Sequence, residues 1–252
     1  MIETTLDAVL GGRLRLRQPR RGHRVGHDAI LLAAATAARA GEHAVDLGAG
    51  VGGAGLALAS RIDGLRVTLV EIDAALAVLA AENTERNGLT RRVRVLAGDA
   101  EDTHALAGTG LAPGSADRVL MNPPFNDPRR QNASPDPRRR LAHVAAPGLL
   151  KRWAASAAFL LRPGGVLTLI WRADALDEVR DALAEAFGAI AVLPVCPRPD
   201  APPIRVLVRA VKAGTGVPVH LPALVLNDEE GKPTAAAEAV LRAGETLRLA
   251  EE

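Results

Sequence analysis

From His43 onward the sequence alternates short apolar runs with helical stretches, and this alternation confines the chain to very few folds. The apolar runs read as strands near 44–48, 66–71, 92–98, 117–122, 166–172, 189–195 and 204–211. Helical stretches fall between them, near 53–61, 73–87, 147–161 and 174–187. The runs stay apolar at every position instead of every second one, as strands covered on both faces must. The expectation is an α/β fold with a seven-stranded, mostly parallel sheet and helices on both faces. Pro163-Gly164-Gly165 reads as a turn before the fifth strand. Pro197–Pro203 is a Pro-rich loop short enough for the last two strands to pair as a terminal antiparallel hairpin.

Ahead of this pattern, residues 5–17 form two alternating runs around Gly11-Gly12. That spacing predicts a β-hairpin with Leu14 and Leu16 inward and Arg13, Arg15 and Arg17 outward. Asp28 then opens an apolar helix reaching about Arg39. Residues 1–42 are therefore expected to form a hairpin-and-helix extension, with 43–252 as the main domain. A chain of 252 residues has room for one such domain and little more. The tail after Pro218 carries a short apolar run, Leu224–Leu226, and a helix expected over 234–242.

Composition narrows the function classes. The chain has one cysteine, Cys196, so an intramolecular disulfide is excluded and a reducing compartment is expected. The longest apolar run, Ala29–Ala38, is too short to cross a bilayer, and the N-terminus carries Glu3 and Asp7 without a signal-like apolar core. The expectation is a cytoplasmic protein without a membrane partner. With no Tyr, two Trp and three Phe, there are too few rings for a base-stacking platform. His104, His143 and His220 lack metal-ligand spacing, and no metal is expected.

The chemistry concentrates at strand ends. Val45-Asp46-Leu47-Gly48-Ala49-Gly50-Val51-Gly52-Gly53 closes the first strand of the alternation and opens a helix. Glycines there let the backbone turn sharply and approach a ligand closely. Glu71 ends the next strand, where a carboxylate can accept the hydroxyls of a ribose. Asp99, followed by Ala100, ends the third strand and suits an adenine amino group. Three such positions line one crevice at the carboxyl edge of the sheet. A dinucleotide dehydrogenase would also want a hydride-transfer residue and a second nucleotide-binding half, and neither is found.

Asn122-Pro123-Pro124-Phe125 stands at the end of the fourth strand. The exocyclic amine of adenine is a poor nucleophile because its lone pair is delocalised into the ring. The amide oxygen of Asn122 and the carbonyl of Pro123 would accept its two N–H bonds and turn the lone pair toward a methyl donor. The prolines fix φ and hold that carbonyl outward, and Phe125 would stack on the base.

With these motifs in this order, residues 40–210 resemble the Rossmann-like class I methyltransferases that carry an Asn-Pro-Pro-aromatic motif. The resemblance implies S-adenosylmethionine as cofactor, held by Asp46, Gly48, Gly50, Glu71, Asp99 and Ala100, with Asn122 at its methyl end. It implies that Asn122, Pro123 and Phe125 hold the target nitrogen. Gly22–Ala33 (G-H-R-V-G-H-D-A-I-L-L-A) and Leu224–Arg242 are similar to the bacterial tRNA adenine-N6 methyltransferases that modify a valine tRNA. In that group the segment around Val25–Leu31 covers the cofactor cleft, which would put His27 or Asp28 near it.

Two basic segments favour RNA. Arg13–Arg24 holds six Arg and no acid, and Pro128–Arg140, directly after the Asn-Pro-Pro-Phe motif, holds five Arg against one Asp. Contact with RNA, expected to be tRNA, is assigned to Arg13–Arg24 and Arg129–Arg140. Enzymes that methylate a protein glutamine amide share the motif, but they carry a helical domain before the fold, for which 42 residues leave little room. A guanine-N2 rRNA enzyme, a DNA adenine enzyme and a catalytically silent RNA-binding protein stay open, as does the choice between monomer and homodimer.

Overall fold

The computed structural model describes residues 3–22, 24–124 and 148–250. The hairpin is β1 (Thr4–Val9) and β2 (Leu14–Pro19), paired antiparallel from Thr4 with Pro19 to Val9 with Leu14. Leu14 and Leu16 are buried and Arg13, Arg15 and Arg17 exposed, as the alternation requires. The turn differs from the expected Gly-Gly pair. It spans Leu10–Arg13, with Leu10, Gly11 and Gly12 all at positive φ. Leu10 bears a left-handed conformation costing about 1 kcal/mol, and its side chain is buried in return.

Helix α1 (His27–Ala35) is apolar throughout, and every residue from Ile30 to Ala35 is buried. It stops four residues before Arg39. Thr36 is extended, its hydroxyl donates to the carbonyl of Leu32, and Arg61 Nη2 donates to the carbonyls of Ala33 and Thr36. A side chain 25 residues away along the chain therefore supplies the partners that further helical turns would have given.

The main sheet is built from β3 (His43–Leu47), β4 (Arg66–Glu71), β5 (Val93–Ala97), β6 (Ala116–Met121), β7 (Leu161–Arg172), β8 (Phe187–Cys196) and β9 (Arg205–Lys212). The strand order is β8-β9-β7-β6-β3-β4-β5, and β9 alone among these runs antiparallel to its neighbours. Two strands of two residues each, β10 (Val219–His220) and β11 (Leu224–Val225), add to β8 in parallel, so the described sheet has nine strands where seven were expected. Pro163-Gly164-Gly165 lies within β7 as an irregularity in its pairing with β6, not as a turn ahead of the strand.

Helices α2 (Gly53–Arg61), α3 (Ala74–Arg86), α4 (Thr103–Gly108), α5 (Leu149–Leu160), α6 (Leu176–Leu183) and α7 (Ala235–Leu241) complete the described elements, with 3-10 turns at Ala173–Ala175 and Arg248–Ala250. One core packs α1, α2 and the hairpin leucines against Ala44, Leu69 and Leu120, while a second packs α5 and α6 against Val45, Leu47 and Met121. Adjacent strand residues face opposite cores, which is why these strands read as unbroken apolar runs. Cys196 closes β8 as a buried residue. Among the described residues no helix is long and apolar enough to cross a membrane.

Candidate active site

The registers bring the strand ends into line. Leu47 pairs with Val70 on one side and Met121 on the other, and Glu71 pairs with Ala97. Residues just past these pairs, Gly48, Glu71, Asp99 and Asn122, therefore share the carboxyl edge across four adjacent parallel strands. At about 4.8 Å between strands, the row from Asn122 to Asp99 extends about 14 Å.

The glycine turn is held from both sides. Gly48, Gly50 and Gly52 all have positive φ, which an L side chain adopts only with strain. The Ala49 N–H donates to the Val70 carbonyl and the Gly52 N–H to the Ala49 carbonyl. Gly48 has a second constraint: a Cβ there would lie 2.3 Å from the Trp153 ring, so this glycine serves packing against α5 as well as the turn. Around Gly50 a Cβ would meet nothing within 4 Å, so only its φ demands glycine. Asp46 is fully buried and accepts the Gly55 N–H at 2.8 Å. Burial pushes its carboxyl up to about 7, and the nearby charge of Glu71 adds to the rise.

Glu71 is buried, with one carboxylate oxygen accepting the Gly50 N–H at 2.7 Å and the other the Asp73 N–H at 2.8 Å. Each oxygen keeps a second lone pair, so the group can still accept two hydroxyls. Ile72 beside it is 67% exposed, an apolar side chain at the crevice that polarity-based reading passes over. Asp99 is partly buried and accepts the Glu101 N–H, while Ala100 is buried. Asn122 follows β6, and its amide oxygen is buried with no hydrogen-bond partner among the described residues. Such an atom costs about 1–3 kcal/mol unless something fills the valence. Pro123 is buried and Pro124 exposed; Phe125 lies outside the described residues.

S-adenosylmethionine fits this donor and acceptor set. Glu71 has acceptor capacity for its ribose, Asp46 a carboxyl for its ammonium group, and Asn122, at the far end of the row, an acceptor that no described residue fills. Among the described residues no group of three or more His, Cys, Asp or Glu is placed to hold a metal ion.

The segment ahead of α1 meets the last residue of the glycine run. The Val25 side chain packs where a Cβ on Gly53 would stand, at 2.7 Å, over the start of α2. His27 is exposed, and Asp28 pairs with Arg205 at 3.0 Å. The basic hairpin is less cationic than its sequence. Arg17 pairs with Glu82, Arg20 with Glu3, and Arg24 with Asp7, where Gln18 and Thr5 also bond. Arg13, Arg15 and Arg21 have no carboxylate partner among the described residues. Arg129, Arg130, Arg138, Arg139 and Arg140 lie outside the described residues.

Sequence reading missed Asn83 on α3 and Asn87 at its C-terminal cap. Their side chains bond the backbone of Arg17 and Arg15, 66 and 72 residues away. The N-G that follows, Asn87-Gly88, reads as a helix end and gives no sign of a distant partner.

Comparison with known proteins agrees with this geometry. The methyltransferase small domain family matches residues 23–195. A tRNA1(Val) (adenine(37)-N6)-methyltransferase from Bacteroides fragilis is 31% identical over 191 residues, 73% of this chain and 76% of that one. A release factor glutamine methyltransferase from Chlorobaculum tepidum is 32% identical over 155 residues, 59% of this chain. The chain spans about half the length of that release factor enzyme. Among solved structures, a predicted O-methyltransferase from Agrobacterium tumefaciens superposes with a TM-score of 0.73 at 28% identity, covering 87% of this chain and 97% of that one.

Proposed function

Because the chain belongs to the methyltransferase small domain family, we propose that it is an S-adenosylmethionine-dependent RNA methyltransferase forming N6-methyladenosine in tRNA. The observation that carries this reading is the Asn122 amide oxygen, buried at the end of β6 and without a partner among the described residues. An acceptor kept in that state is poised for a donor the substrate brings, and an amine nitrogen has two to give.

In this assignment Glu71 holds the ribose, Asp99 with Ala100 the adenine end, Asp46 the ammonium group, and Gly48 and Gly50 let the backbone come close. The bound cofactor supplies a sulfonium-activated methyl group. Asn122 and the Pro123 carbonyl accept the two N–H bonds of the target amine and aim its lone pair along the transfer direction, which is positioning more than acid–base chemistry. Phe125 stacks on the base and holds it out of the RNA stack. Residues 1–42 act as an extension of the 43–252 catalytic domain, and the enzyme works in the cytoplasm.

The Bacteroides fragilis relative favours RNA because it is matched over 76% of its length. Arg13, Arg15 and Arg21 are the hairpin cations for phosphate contact, joined by Arg129, Arg130 and Arg138–Arg140. The Chlorobaculum tepidum relative supports a second reading, transfer to a protein glutamine amide, whose nitrogen is also a weak nucleophile. Purified protein with tritiated S-adenosylmethionine, bulk tRNA and total protein, both from a host lacking the gene, separates the two. Label in tRNA that digests to N6-methyladenosine is the expected result. Label in the protein fraction alone moves the function to amide methylation.

A further inference from the structure

Asn83 is completely buried in α3, and its side chain bonds two segments outside its own helix. Its Oδ1 accepts the Arg17 N–H at 2.6 Å, and its Nδ2 donates to the carbonyls of Arg17 at 2.9 Å and Val51 at 3.0 Å. Asn87, one turn later, repeats the first pair of bonds on Arg15. The spacing fits: two residues of strand rise about 6.7 Å and four residues of helix about 6 Å. The two asparagines thus stand in for a neighbouring strand along the edge of β2 that β1 leaves open.

Only Asn83 reaches further, to Val51 between Gly50 and Gly52. The Val51–Gly52 peptide is then fixed at both ends, its N–H by the Ala49 carbonyl and its C=O by Asn83. Three positive-φ glycines surround that peptide, so without such a bond it would sample many conformations.

We propose that Asn83 is a positioning residue that sets the glycine turn from the hairpin side, so that cofactor affinity depends on its bond to the Val51 carbonyl. The proposal rests on the reading of that turn as the S-adenosylmethionine site. It also gives a physical path by which RNA pulling on the hairpin is felt at the cofactor, since Asn83 holds Arg17 of β2 and Val51 of the turn at once.

The test titrates S-adenosylhomocysteine calorimetrically into the wild type, Asn83→Ala and Asn87→Ala, and measures cofactor KM, kcat and melting temperature for each. Asn87→Ala loosens the same strand without a contact to the turn. Asn83→Ala is expected to weaken binding about tenfold, as the freed turn must be ordered on each binding event. It should raise cofactor KM in parallel and leave kcat at saturation within about twofold. Asn87→Ala should keep the wild-type affinity despite a similar fall in melting temperature. If Asn83→Ala gives no cooperative melt, Asn83→Leu replaces it: it fills nearly the same space without a donor for Val51, so the same loss is expected. Equal affinities for all variants overturn the coupling while sparing the cofactor assignment. No binding to the wild type overturns the cofactor assignment and the coupling with it.

Discussion

The two ends of the parallel strands treat their polar groups in opposite ways. At the amino ends of β3, β4 and β6 the buried His43, Thr68 and Arg118 all have partners. His43 sits at the start of β3, and burial holds its pKa below the ordinary histidine range. The neutral ring donates from Nδ1 to the Ser115 carbonyl and accepts at Nε2 from the Thr68 hydroxyl, which in turn accepts from Arg94. Asp117 accepts the His43 N–H and the Arg162 Nε, and those bonds overcome its desolvation to hold its carboxyl low. Arg118 and Glu42 form a two-point pair at 2.9 and 3.0 Å. At the carboxyl ends, capacity is left over: Asp46 is buried with one bond, Glu71 has lone pairs to spare, and Asn122 has an acceptor with none among the described residues. Closed networks stabilise the fold, and unfilled ones are kept where a ligand completes them.

This contrast can be broken by exchanging the expected consequences. Removing an amino-end partner should cost stability and spare activity. Glu42→Ala leaves the Arg118 guanidinium buried without its carboxylate and should destabilise by about 3 kcal/mol in denaturant melts. Its kcat per folded molecule should match the wild type, and a kcat loss would show that the amino ends serve the reaction. Removing a carboxyl-end acceptor should do the reverse. Glu71→Ala is expected to weaken S-adenosylhomocysteine binding about 100-fold, a cost of about 2.7 kcal/mol. Two N–H bonds also go, so stability should fall as well, by about 2 kcal/mol.

Gly48→Ala sharpens the comparison because that glycine serves both fold and turn. The added methyl meets the Trp153 ring and adopts a strained φ, so about 2 kcal/mol of stability should be lost in thermal melts. A stable variant with weakened cofactor binding would show that only the turn matters there. A further expected effect is the pH dependence set by Asp46. Its folded pKa of about 7 lies above the unfolded value of 3.8, so the folded chain holds a proton that the unfolded chain has released. That contribution is fully present below pH 3.8 and is lost as pH rises through about 7. Between pH 5 and 8 the wild type should lose about 5–10 °C of melting temperature relative to Asp46→Asn. A constant difference would place the Asp46 titration elsewhere.

What was legible in the sequence follows from how local each determinant is. The helix 53–61 and the strand 66–71 were readable to the residue, because a glycine turn and a run of apolar residues mark their ends from within. The end of α1 was not, since Arg61 supplies the capping donors from the next helix. Helix α4, capped by Asp102, is only Thr103–Gly108, too short for a periodic signal. At the site, Asp46, Glu71, Asp99 and Asn122 were visible because each ends or adjoins its own strand. The partial neutralisation of the hairpin was not, because Glu82 reaches Arg17 only through the packing of β2 on α3.

The central claim is that Asn122 is kept open for the substrate, and kinetics beside calorimetry on Asn122→Ala tests it most directly. The account predicts a kcat lower by about 100-fold or more, S-adenosylhomocysteine affinity within about threefold of wild type, and a melting temperature unchanged or raised as a buried oxygen with no partner among the described residues is removed. Equal losses of kcat and cofactor affinity would contradict it, and would make Asn122 a part of the cofactor cradle alone.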